Sequence, residues 1–297
     1  MLAQQLLNGV VVGSVYSLFA LGFTLVFGIN HVLNLAHGAV FTTGAFAALY
    51  GITLLDLPLP AAALLAVLVG GSASVLLDVV CFRPLRRRNA PEFAAIVSSI
   101  GGGLILTSIA QQISATQVMR FPFGTVPVVI WRFWGLRVQL LQVAIIATVA
   151  IIVVALLLYL YRTEFGRQIR AVAISGRTAQ LLGIDPAVIF AQVFFIAGGL
   201  AGAAGLLIGL AFNSVHYVMG EPLLLRAFVV VVLGGMGSIP GAVVAGLLLG
   251  VVQSLSVAYV SSGAADALIF GLLFVVLLVR PTGLFGGSSS AGRVVRA

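Results

Sequence analysis

The stretch INHVLNLAHGAVFTTG, residues 29–44, sets Asn30, His31, Asn34 and His37 between two strongly apolar runs. Imidazole and carboxamide groups exchange protons and hydrogen bonds, so this cluster is the first candidate for chemistry. In hydrocarbon such groups are costly unless they pair or face a cavity. Asn34 and His37 lie one helical turn apart and can satisfy one another. They can equally line a path, with Gly38 marking a break in a helix. Both roles are open from sequence. A zinc site is not supported, because Cys81, His31, His37 and His216 lack ligand spacing, and one cysteine excludes an internal disulfide. Nucleophilic catalysis fits no better: GMGSI around Ser238 is not a nucleophile elbow, and neither Ser238 nor His37 has an evident orienting partner.

The elements that position these residues follow from composition. The chain is 61% hydrophobic and 7% charged, with mean hydropathy +1.23. A soluble domain carries roughly 25% charged residues to keep its surface wet. The chain is therefore an all-α polytopic membrane protein of eight to nine transmembrane helices, some discontinuous. Candidate spans are 5–28, 31–52, 59–82, 92–116, 140–161, 186–212, 222–239, 241–260 and 264–280. The opening MLAQQLLNG has no charged region and no small-residue cleavage site, so the first span is expected to stay in the mature protein.

A net charge of +8 and a pI near 10.8 would suggest nucleic acid in a soluble protein. Here the arginines sit in short loops, the positive-inside signature, and no nucleic-acid partner is implied. Clusters follow the third span (Arg83, Arg86, Arg87, Arg88), the fifth (Arg162, Arg167, Arg170, Arg177) and the last (Arg280, Arg293, Arg296). Nine spans put all three on the cytoplasmic side, with the N-terminus outside and the C-terminus inside. Loop 117–139 then holds Arg120, Arg132 and Arg137 outside, with Trp131 and Trp134 as interfacial anchors. Residues 1–285 read as one membrane domain and 286–297 as a flexible cytoplasmic tail.

Two glycine-rich stretches stand out. GGLAGAAGLLIGL (198–210) has the small-residue spacing of close helix packing. LGGMGSIPGAVVAGLLLG (233–250) crowds Gly234, Gly235, Gly237, Pro240 and Gly241 together, which disfavours a regular helix. HGAVFTTGAFAALY and PGAVVAGLLLGVV both run Gly-Ala-Val into a span after a break, a weak internal repeat. In repeat-built transporters such breaks mark the transport site. Asn34, His37, Gly38, Gly235, Gly237 and Ser238 are thus the candidates for a translocation path or gate. An ion-driven transporter would keep carboxylates inside its spans. Asp78 and Asp266 lie near span ends and Glu221 beside an outer loop, while Arg226 reads as a snorkelling anchor.

Residues 162–185, RTEFGRQIRAVAISGRTAQLLGID, form the one long segment of soluble character. A helical period gathers Ile169, Val172, Ala173 and Ala179 on one face, between Gly166 and Gly183. Such a helix can lie on the membrane surface or dock into a partner's groove. The segment resembles the coupling loop of permeases of branched-chain amino acid ABC importers. The matching residues are Thr163, Gly166, Arg170, Ala171, Ala179, Gly183 and Ile184. LLNGVVVGSVYSLFALGFTLVFGINHVLNLAHG, LGGMGSIPGAVVAGLLLG and VRPTGLFG are similar to other signatures of that family. The length and the immediate start at a span resemble its H-type (LivH-like) subunit, although Ala39 stands where the family has a polar or acidic residue.

The resemblance implies a bacterial inner-membrane permease. Its expected partners are an M-type permease forming a heterodimer, two cytoplasmic ATPases and an external substrate-binding protein. The expected substrates are branched-chain or related small amino acids, with urea or short amides as the alternative within the family. One consequence needs no resemblance. All 15 basic residues are arginine, and a P-loop needs a lysine to reach the β- and γ-phosphates. No cofactor is expected in this chain; ATP and magnesium would be bound by the ATPase partners.

Overall fold

The computed structural model describes residues 2–30, 32–133 and 136–285. Its helices, in order, are α1 (Leu2–Asn30), α2 (His37–Leu54), α3 (Leu59–Arg87), α4 (Glu92–Ile113), α5 (Leu140–Arg162), α6 (Glu164–Ile174), α7 (Gly176–Leu181), α8 (Pro186–Phe212), α9 (Gly220–Gly234), α10 (Ile239–Tyr259) and α11 (Ser262–Val279). Every expected span has its helix. Six of them, α1, α3, α4, α5, α8 and α10, are long and apolar enough to cross a membrane. The 15 residues of α9 reach only about 22 Å, short of a hydrocarbon core of about 30 Å.

The helix starts are written into the sequence. Asp185 caps α8 by accepting from Ala187 N at 2.9 Å. Ser238 caps α10 through Gly241 N at 3.2 Å, and Ser261 caps α11 through Ala264 N at 3.1 Å. These side chains satisfy amide groups that a helix start leaves unpaired. Inside α3 a π-helical turn spans Asp78–Phe82.

The centre is built on α1 and α8, which are apolar on every side, as enclosed helices are. Glycine sets the approach distances. A Cβ at Gly13 would lie 2.8 Å from Leu247 Cα of α10, and one at Gly202 would collide with the Ala66 carbonyl of α3. The 198–210 stretch is therefore a packing surface for α2 and α3.

Three local expectations are corrected. The second span starts at His37 rather than residue 31, because residues 32–36 are not helical. Loop 117–139 contains an antiparallel hairpin, β1 (Ile130–Phe133) and β2 (Leu136–Gln139), pairing Trp131 with Val138. Gln4 of α1 closes it from the side, accepting from Arg137 N at 2.9 Å and donating to Arg137 O at 3.0 Å. The single helix expected between Gly166 and Gly183 is broken at Ser175, whose extended backbone ends α6 and whose side chain caps α7. His31, Trp134, Arg293, Arg296 and the 286–297 tail lie outside the described residues.

Candidate functional site

The chain leaves α1 at Asn30 and re-enters the bundle, so that α2 begins beside the middle of α1. His37 Nε2 lies 3.2 Å from Phe19 O, and its ring packs at 4.7 Å against Phe19 and 5.9 Å against Phe23. Because Phe19 O is an acceptor, Nε2 carries the proton and Nδ1 is left without a partner. Gly22 makes room for the ring: a Cβ there would come 3.0 Å from Cε1 and Nε2. Asn34 Oδ1 accepts from Ala36 N at 3.1 Å, and Ser99 Oγ of α4 accepts from Leu35 N at 3.1 Å. His37 and Asn34 are both enclosed within the chain, and they are not bonded to each other through their side chains.

A second break meets the first. After α8, residues 213–219 turn back inward, held by Asn213 in a left-handed conformation and by a bridge between Met119 and Val215. α9 then starts at Gly220. The first turns of α2 and α9 cross, and a Cβ at Gly220 would collide with the Gly38 carbonyl. The partner of His37-Gly38 is thus Met219-Gly220, not Pro240-Gly241. Both sites follow a long span and a short inward segment, whereas α10 follows a tight turn.

That turn, Gly235–Ser238, belongs to one end of the bundle. Gly235 and Gly237 have φ of 96° and 84°, where a side chain would strain the backbone. The C-terminal segment docks on it: Leu284 N donates to Leu233 O at 2.8 Å and Phe285 N to Gly234 O at 3.2 Å. The VRPTGLFG and LGGMGSIPG signatures are therefore one structural unit. Ser238 bonds Gly241 and His37 bonds Phe19, so the two are not brought into a nucleophile–base pair.

The residues matched to a coupling loop build the two-helix arm, α6 and α7. Thr163 caps α6 through Gly166 N at 3.1 Å and donates to Tyr159 O at 2.6 Å. A Cβ at Gly166 would collide with Leu160 O, so the reversal from α5 into α6 requires glycine. Arg170 donates to Leu160 O and lies 5.4 Å over the Tyr161 ring, anchoring α6 to its own chain. Gly183 ends α7 at φ 83°, while Ile184 N donates to Ala179 O at 3.0 Å. A crevice of about 110 Å³ joins Ile169, Arg170 and Ala173 to Thr24 and Gly28 of α1 and to Gly237. Ala171 sits half-buried on the same helix.

The apolar face Ile169, Val172 and Ala179 is buried against the transmembrane helices, not presented to a partner. What remains outside is Ile174 (88% exposed), Leu181 (84%) and Leu182 (74%), with Phe165 half-exposed. Sequence reasoning missed these; the signal was a Leu-Leu pair inside a polar segment.

Asp78 and Asp266 have arginine partners. Asp78 pairs with Arg86 at 2.7 Å, and Arg86 also reaches Asn30 Oδ1 at 3.2 Å. Asp266 pairs with Arg226 at 3.0 Å, and Arg226 donates to Tyr16 OH at 2.7 Å. Arg226 is therefore not a lone snorkelling anchor. Its partners are 40 and 210 residues away in the chain, beyond any sequence signal.

This architecture has relatives. Residues 5–278 match the family described as branched-chain amino acid transport system / permease component. The chain is 34% identical to the high-affinity branched-chain amino acid transport system permease protein BraD of Pseudomonas aeruginosa, over 95% of each chain. It is 32% identical to the corresponding protein LivH of Escherichia coli, again over 95% of each. A probable LivH of Methanocaldococcus jannaschii is 27% identical over 95% of this chain and 92% of its own. The chain belongs to the branched-chain amino acid transport permease family.

Proposed function

We propose that this chain is the H-type permease subunit of an ABC importer carrying branched-chain or related small amino acids across the bacterial inner membrane. The observation that carries the reading is the assembly at one end of the bundle. There a short two-helix arm, capped and anchored, shares a crevice with Gly237 and leaves large apolar side chains exposed. Exposed Leu and Ile at the end of a membrane bundle, next to arginines, suit a protein partner. The chain has no lysine with which to build a P-loop, so that partner is a separate ATPase, which binds ATP and magnesium.

The importer is completed by an M-type permease in a heterodimer, two such ATPases and an external binding protein. Arg86, the Arg162–Arg177 group and Arg280 gather at the end that carries the arm, which fits a cytoplasmic arm, an outer N-terminus and an inner C-terminus. Asn34, His37 and Gly38, with Gly220, form the pivot at mid-depth, and Gly235, Gly237 and Ser238 the inner gate that the arm moves. The pivot acts through helix position, since His37 is enclosed. The test is reconstitution of the complex in proteoliposomes with its binding protein. ATP-dependent uptake of labelled leucine, isoleucine or valine is expected, and uptake confined to urea or amides would overturn the substrate class.

A further inference from the structure

Lipid-facing charge is costly at membrane depth, so an exposed ion pair there marks a face that is not covered by lipid. Arg226 and Asp266 form such a pair. The Asp266 side chain is 59% exposed and that of Arg226 20%. The pair joins the second turn of α11 to Tyr16, the middle residue of α1, whose hydroxyl takes an N–H of Arg226 at 2.7 Å and donates onward to Gln253 of α10. On the same helix as Arg226, Glu221 and Pro222 stand exposed in the first turn of α9, which begins inside the bundle rather than at its edge.

We propose that Arg226 and Asp266 receive the zwitterionic head of an amino acid in transit, Arg226 taking the α-carboxylate and Asp266 the α-ammonium. This inference rests on the amino-acid reading above. The pair is left with capacity for it. Asp266 uses only Oδ1, which accepts from Arg226 Nε at 3.3 Å and NH2 at 3.0 Å. Among the described residues Oδ2 accepts no hydrogen bond. Arg226 spends one N–H on Tyr16 and two on Asp266, so two of the five guanidinium N–H groups stay free. A bidentate carboxylate suits those two donors, and an ammonium suits the open oxygen.

The preference for a zwitterion follows from the charges. A net ion would leave one member of the pair uncompensated, whereas a zwitterion inserts head to tail and keeps the face neutral. Buried Tyr16 holds the guanidinium in place, so the site is preorganised. Leu225 and Phe228, next to Arg226 in the chain, and Phe270, one turn after Asp266, are exposed apolar side chains that offer a surface for an aliphatic side chain.

The test uses the full reconstituted importer. Wild-type complex is first assayed for ATP-dependent leucine uptake; none at all would overturn the amino-acid reading itself. Given wild-type uptake, Asp266→Asn and Arg226→Gln are expected to lower uptake at least tenfold while retaining the ATPase subunits, with Asp266→Glu restoring part of it. In a Cys81→Ser background, Asp266→Cys is expected to react with a water-soluble thiol reagent and to be protected by substrate-loaded binding protein plus ATP. Uptake by Asp266→Asn and Arg226→Gln at wild-type rates would overturn the site. So would an Asp266→Cys variant whose thiol stays unreactive under every condition, which would make the pair a contact with the second permease.

Discussion

The exposed leucine and isoleucine of the two-helix arm give the sharpest quantitative expectation. Ile174 and Leu181 are 88% and 84% exposed, so Ile174→Asp or Leu181→Asp removes almost nothing from the chain's own packing. Surface changes of that kind are worth about ±0.5 kcal/mol in stability. If the ATPase buries these side chains, each contributes about 1.5–3 kcal/mol to docking. Aspartate forfeits that and leaves an unpaired carboxylate in the groove, adding roughly 1–3 kcal/mol more. The sum is at least about 2.5 kcal/mol, which at about 1.4 kcal/mol per decade weakens docking roughly 60-fold or more. Ile169→Asp is the contrast. Ile169 is buried against the bundle, and its replacement should lower the folded yield of the chain itself. The assay titrates detergent-solubilised permease with purified ATPase and measures Kd alongside uptake. A Kd within about threefold of wild type for both surface variants, with normal uptake, would refute the docking argument.

Three further outcomes are expected. Gly183→Val forces a β-branched residue to φ 83°; a cost of about 1–2 kcal/mol should loosen α7 and lower uptake more than expression, read by protease sensitivity of the arm. His37→Leu loses the bond to Phe19 O, about 1 kcal/mol, but also removes the unpartnered Nδ1, so the complex should assemble. Reduced uptake then supports the pivot, and wild-type uptake supports packing alone. With Cys81 replaced, Arg177→Cys should resist an impermeant thiol reagent applied to intact cells and react after permeabilisation; labelling from outside would reverse the orientation.

Much of the fold is legible in the chain because long apolar runs, proline and capping residues act locally. Asp185-Pro186 opens α8 and Ser238-Ile-Pro240 opens α10 whatever surrounds them. The break at His37-Gly38 and the arm are also visible, since polar groups in apolar context and amphipathic period are properties of the sequence. Tertiary structure decided the rest. Only the crossing of α2 and α9 identifies Met219-Gly220 as the counterpart of His37-Gly38, because that relation is spatial and the residues share little beyond a glycine. The period of α6 gathers Ile169 and Val172 on one face, but whether that face turns toward the bundle or a partner depends on the reversal at Gly166. Arg226 and Asp266 look separately like residues near span ends; packing α9 against α11 joins them into a pair. Local sequence sets what a segment can form, and the company that each side chain keeps is fixed only when distant segments meet.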